Sequence, residues 1–124
     1  MGLFGFGSKS DTPSEDREAA RFKKPAELQK LIEEKAEPYI LVDVRTPGEY
    51  KSGHIPTASQ ITHTEIGDTP PTADKDARII LYCRTGNRSG QARQVLLGMG
   101  YKNVTNFGGV MDWPGRLVEG PDPE

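Results

Sequence analysis

The only cysteine in this chain stands in the run Arg78-Ile79-Ile80-Leu81-Tyr82-Cys83-Arg84-Thr85-Gly86-Asn87-Arg88-Ser89. An apolar stretch leads into the thiol, polar and small residues follow, and a helical pattern takes over. If such a loop curls between a strand and a helix, its successive backbone N–H groups point inward as a nest. The helix that follows adds its own free N–H groups and the positive end of its dipole. Gly86 permits the left-handed or tightly curved backbone this needs, and Asn87 tolerates it. The Cys83 sulfur then lies at the base of a small anion cradle, which favours thiolate over thiol and makes Cys83 a nucleophile. A persulfide or an oxyanion formed there would be held by the same donors. The plainer reading is a small buried hydrophobe, the common fate of a lone cysteine at a strand end. A glycine, two arginines and a helix start, all between Cys83 and Ser89, outweigh it.

The charge pattern points the same way. The 124 residues fit one domain, and the formal net charge of −2 argues against a nucleic-acid partner. Residues 77–111 hold Arg78, Arg84, Arg88, Arg93 and Lys102 but no Asp or Glu, so all 18 acidic residues lie elsewhere. A local positive field in an acidic chain suits a small anionic ligand better than a polyanion; a solvated basic helix face is the blander alternative. One cysteine allows no intramolecular disulfide, no Cys-rich zinc site and no internal resolving thiol. With two histidines, a metal site is not expected, and no cofactor is called for. No apolar run is long enough to span a membrane, and the opening Met1–Ser10 lacks the basic and apolar regions of a secretory signal. It also has Phe6 where myristoylation wants Ser or Thr. Cytoplasmic location is the resulting expectation.

Hydrophobic periodicity supplies the elements that would position the loop. Residues 1–20 read as a flexible tail, 21–119 as a single domain and 120–124 as a short C-terminal tail. Pro25 suits a first helical turn; Leu28, Leu31, Ile32 and Ala36 share one face, and Pro38 stops the helix. Residues 39–44 and 78–83 are near-continuous apolar runs of β-formers, expected of strands buried on both faces. A helical turn fits around Glu49–Lys51, while 59–66 is ambiguous and 67–77 is a loop by composition. From Ser89, the residues Ala92, Val95, Leu96 and Met99 trace a helical face. Residues 102–107 are a further strand, and 108–115 turn into a short helical segment. Strands alternating with helices predict an α/β domain with a mostly parallel sheet, whose sites gather at the carboxyl ends of strands.

Three stretches resemble one family. "LVDVRTPGEYKSGHIPTA" looks like the rhodanese pattern of Asp-Val-Arg, a Glu-aromatic pair and Gly-His-Ile-Pro-x-Ala. "CRTGNRS" looks like its active-site loop, and "GGVMDWPG" like its carboxyl-terminal Gly-Gly and Trp region. The resemblance runs from about Phe22 to Leu117. It implies a rhodanese-like domain with a mostly parallel five-stranded sheet flanked by helices, acting as a single-domain sulfurtransferase through a cysteine persulfide. Cys83 would be catalytic. Arg84, Thr85, Gly86, Asn87 and Arg88 would bind substrate, with Arg84 recruiting the anion, Thr85 adding its hydroxyl and Arg88 either binding or bracing. Asp43, Arg45 and Glu49 are expected as a buried network that ties the loop down rather than as acid/base groups. The expected partners are a small anionic sulfur donor such as thiosulfate and an external thiol, protein or cyanide acceptor, with the chain a monomer. His54 and Trp113 read as structural. Two alternatives stay open: a sulfur carrier or regulatory binding module, and a Cys-loop phosphatase or arsenate reductase. The latter group generally has a longer Cys-to-Arg ring than the four residues from Arg84 to Asn87.

Overall fold

The apolar run at 78–83 lies inside the sheet, where burial on both faces demands it. The computed structural model describes residues 20–124, so the expected tail at 1–20 falls almost wholly outside the described residues. In chain order these form α1 (Pro25–Glu34), β1 (Ile40–Asp43), α2 (Pro47–Ser52), β2 (Ser59–Gln60), β3 (Arg78–Cys83), α3 (Asn87–Gly98), β4 (Asn103–Gly109) and a 3-10 turn at Val110–Asp112. The sheet order is β2-β1-β3-β4, and every pairing is parallel. Alternation along β3 divides the core in two. Ile80 and Tyr82 pack with Phe22, Leu28, Leu31 and Ile32 on the α1 face. Ile79, Leu81 and Cys83 pack with Ala92 and Leu96 of α3 on the other.

The sheet has four strands among the described residues, not the expected five. Ahead of α1 the backbone closes on itself, Lys23 N donating to Ala20 O and Lys24 N to Arg21 O, so these groups are spent on turns rather than on a sheet edge. Helix α1 ends at Glu34, earlier than Pro38 would require. Lys35 takes a left-handed cap (φ 52°) and returns its N–H to Leu31 O, leaving Ala36 exposed beyond the helix. The apolar face of α3 is narrower than its sequence suggests, for Val95 remains 43% exposed. The loop at 67–77 carries no helix or strand, and the turn after β4 is helical as read.

Two local features set up the site. Helix α2 opens with a capping box: Thr46 Oγ1 accepts from Glu49 N, and the Glu49 carboxylate accepts from Thr46 N. In β4 the register slips by one residue. Asn106 pairs with Leu81 and Gly108 with Tyr82, leaving Phe107 as a bulge. Val118 forms an antiparallel bridge with His54. Pro123 O accepts from Thr57 N, which fastens the last residues to the α2–β2 connection.

Candidate active site

Cys83 closes β3 with its residue fully buried, and the chain then wraps around its sulfur. Gly86 N donates to Sγ at 3.0 Å, and Ser89 N at 3.4 Å; the Ser89 Oγ also lies 3.4 Å away. Gly86 makes this possible with a left-handed φ of 98°, as the residue immediately before α3. Burial pushes the Cys83 thiol up, but the Ser89 hydroxyl and the N–H groups of Ser89, Gly86 and Thr85 outweigh it. The thiol therefore titrates below its ordinary value. The nest inferred from the loop's composition is thus present, and its donors converge on sulfur.

The loop is seated on β4. A methyl group at Gly109 would come within 2.4 Å of Arg84 O, and one at Gly86 within 3.2 Å of the Gly108 backbone. Gly86 and Gly109 therefore let the loop backbone lie directly on the strand. Gly109 N in turn donates to Asp112 Oδ2 at 3.1 Å, pinning the turn below.

The three supporting residues do not form one network. Asp43 and Arg45 pair closely, with Arg45 Nη2 at 2.6 Å from Asp43 Oδ2, and Arg45 also donates to Gly53 O at 2.7 Å. Both are buried, and Asp43 holds the Arg45 guanidinium charged against the cost of burial. Glu49 bonds elsewhere. Arg88 grips it with two hydrogen bonds, Nη1 to Oε1 at 2.9 Å and Nη2 to Oε2 at 3.1 Å. That pair, with burial opposing and Thr46 assisting, holds the Glu49 carboxyl down at about 2. Hence Glu49 ties the loop down through Arg88, while Asp43 and Arg45 brace the β1 end against α2. Arg84, Thr85 and Asn87 are exposed. Among the described residues the Arg84 guanidinium makes no hydrogen bond or ion pair.

Ser89 and Asn106 were not among the residues singled out from sequence. Ser89 is fully buried at the start of α3, and its hydroxyl reaches both Cys83 and Asn106. The local signal for Ser89 was its place one residue past Arg88; Asn106 offered none.

The comparisons with known proteins agree with this fold. The rhodanese-like domain family matches residues 24–115. The chain belongs to the rhodanese-like sulfurtransferase family. It is 40% identical to the thiosulfate sulfurtransferase PspE of Escherichia coli over 81 residues, 64% of this chain and 78% of that protein. It is 33% identical to the thiosulfate sulfurtransferase GlpE of Pseudomonas entomophila over 69% of this chain and 84% of the relative. Among solved structures, a rhodanese-like domain protein from Staphylococcus aureus matches at 31% identity with a TM-score of 0.67, covering 77% of this chain and 93% of its own. An E. coli rhodanese with anions matches at 34% and 0.59, covering 67% and 100%.

Within this rhodanese-like domain the remaining candidates take packing positions. His54 is buried and stacks on Tyr50 at 3.7 Å, with Nδ1 at 2.9 Å from Tyr50 O and Nε2 at 3.3 Å from Pro123 O. Trp113 packs into the α1-side core and donates from Nε1 to Arg116 O. Among the described residues, no group of three or more His, Cys, Asp or Glu side chains could hold a metal ion. No described helix is long and apolar enough to cross a membrane.

Proposed function

We propose that the chain is a thiosulfate sulfurtransferase that carries sulfane sulfur on Cys83 and passes it to an external thiol or to cyanide. The observation that carries this reading is the convergence of the Gly86 and Ser89 N–H groups on a buried cysteine sulfur. In the first half-reaction the Cys83 thiolate attacks the sulfane sulfur of thiosulfate. A new S–S bond forms at Sγ, and the old one breaks with its electron pair leaving on sulfite. The charge then resides on the outer sulfur of the persulfide, where further loop N–H groups and the Thr85 hydroxyl stabilise it. In the second half-reaction the acceptor attacks that outer sulfur and Cys83 leaves as thiolate, a ping-pong scheme. Arg84, exposed on the loop, draws the dianion in. Arg88 acts as a brace, and its bidentate grip on Glu49 disfavours a phosphatase, whose loop arginine must be free to clamp phosphate.

Intact-protein mass before and after thiosulfate tests the relay, with Cys83→Ser alongside. The expected result is a gain of one sulfur atom, absent in the variant and reversed by cyanide with release of thiocyanate. Folded, reduced protein that gains no mass refutes the reading. Transfer to candidate thiols and proteins then identifies the acceptor.

A further inference from the structure

The Ser89 hydroxyl has one proton and two acceptors. Asn106 Oδ1 lies 2.7 Å from its oxygen, and Cys83 Sγ lies 3.4 Å away. Ser89 is fully buried, so water offers no third choice. The orientation of the Asn106 amide is fixed from its other end: Nδ2 donates to Gly86 O at 3.0 Å, and a carbonyl oxygen can only accept. Oδ1 must therefore face Ser89. The β4 bulge follows Asn106 directly, and the amide reaches the loop across the gap beside Gly90, where a methyl group would come to 3.3 Å of Nδ2.

We propose that Asn106 is a positioning residue that parks the Ser89 proton whenever the inner sulfur is uncharged and yields it when that sulfur becomes a thiolate. In the neutral thiol, the shorter contact keeps the Ser89 O–H directed at Asn106 Oδ1. On ionisation the charge on Sγ recruits it, because a hydrogen bond to an ionised acceptor is stronger than one to an amide oxygen. This deepens the persulfide reading above and rests on it for its catalytic meaning. Once a sulfane sulfur is attached, the charge moves to the outer sulfur and the Ser89 O–H turns back to donate to Asn106 Oδ1. The hydroxyl thus serves the thiolate that opens the first half-reaction and is released in the second. It turns to Asn106 in the loaded state between them, so that Asn106 favours the loaded state. Asn106 Nδ2 also donates to Gly86 O, but Gly90 N donates to the same oxygen at 3.0 Å, so Gly86 keeps its place around the sulfur when Asn106 is removed.

The test is the rate at which iodoacetamide alkylates Cys83 as a function of pH, which needs no sulfur donor. Ser89→Ala removes the donor and moves the midpoint up. Asn106→Ala frees the proton for the sulfur and moves the midpoint down, by about half a pH unit or more for one neutral hydrogen bond. In the Ser89→Ala background, Asn106→Ala has no further effect on the midpoint. Asn106→Asp, whose charge grips the proton harder while its second oxygen replaces the Nδ2 donor to Gly86 O, moves the midpoint up. It does so by less when Ser89 is absent, the difference reporting the Ser89 proton alone; it serves if the alanine variant does not fold. The charged groups around the sulfur stay in place throughout: Arg88 on α3 with Glu49 of α2, Asp43 and Arg45 of the β1 end, Arg84 on the loop and Asp112 beneath Gly109. An upward or absent shift in Asn106→Ala, or a shift that survives in the Ser89→Ala background, overturns the proposal. Failure of the persulfide reading would appear separately, as no gain of sulfur from thiosulfate in the wild-type chain.

Discussion

Arg84 and Arg88 lie on the same loop, yet only Arg88 is held. Arg88 spends its guanidinium on Glu49, while Arg84 stands exposed at the entrance. Arg84→Ala should therefore raise KM for thiosulfate about fivefold, matching the ~1 kcal/mol of a charge contact near water, and leave kcat almost unchanged. Steady-state thiocyanate production measures both. Glu49 makes a different prediction. Its carboxyl falls from an ordinary 4.5 to about 2 in the folded chain. A depressed carboxyl contributes its stability above the ordinary value and loses it as pH falls through the folded one. The wild type should thus lose stability between pH 4.5 and about 2 by a route that Glu49→Gln lacks. The difference should be modest, because Glu49 is 33% exposed and partly screened. Urea unfolding across that window measures it.

At the scale of elements, the contact between loop and β4 is tighter than any side chain allows. Gly109→Ala must displace Arg84 O, and with it the donors around the sulfur. Activity should fall on the order of 100-fold, the usual effect of an ångström of misplacement, while circular dichroism shows the fold retained. The buried pair at the end of β1 answers differently. Arg45→Met strands Asp43 in a fully buried position and should cost about 3–5 kcal/mol in denaturant unfolding. The strand at 78–83, the cysteine loop and the helix after it were legible because each is a local pattern: an apolar run, a glycine where the chain must curl, a 3.6-residue period. The partnerships were less so. Glu49 and Arg88 were each singled out, yet their pairing spans 39 residues of sequence, and a different trio looked more natural. Asn106 was read only as part of a strand. Its bond to Ser89 exists because β3 and β4 are parallel neighbours with α3 between them, a fact of topology rather than of any window of residues.

Across the whole molecule, charge is divided unevenly. The stretch from 77 to 111 contains every residue of the cysteine loop and not one carboxylate, although the chain is acidic overall. Attraction of an anionic substrate to such a region weakens as salt shortens the range of the field. The specificity constant for thiosulfate should consequently fall as ionic strength rises, and more steeply in the wild type than in Arg84→Ala; rates measured across a series of chloride concentrations check this. The two outer strands of the sheet differ as well. β2 contributes only Ser59 and Gln60, too little for another strand to register against. β4 is seven residues long, but Phe107 breaks its register, Gly108 turns left-handed at φ 119°, and Arg93 Nε already occupies Val104 O at 2.7 Å. The same bulge that seats the cysteine loop therefore leaves the longer rim of the sheet a poor template for a neighbouring chain, and so guards against edge-to-edge aggregation.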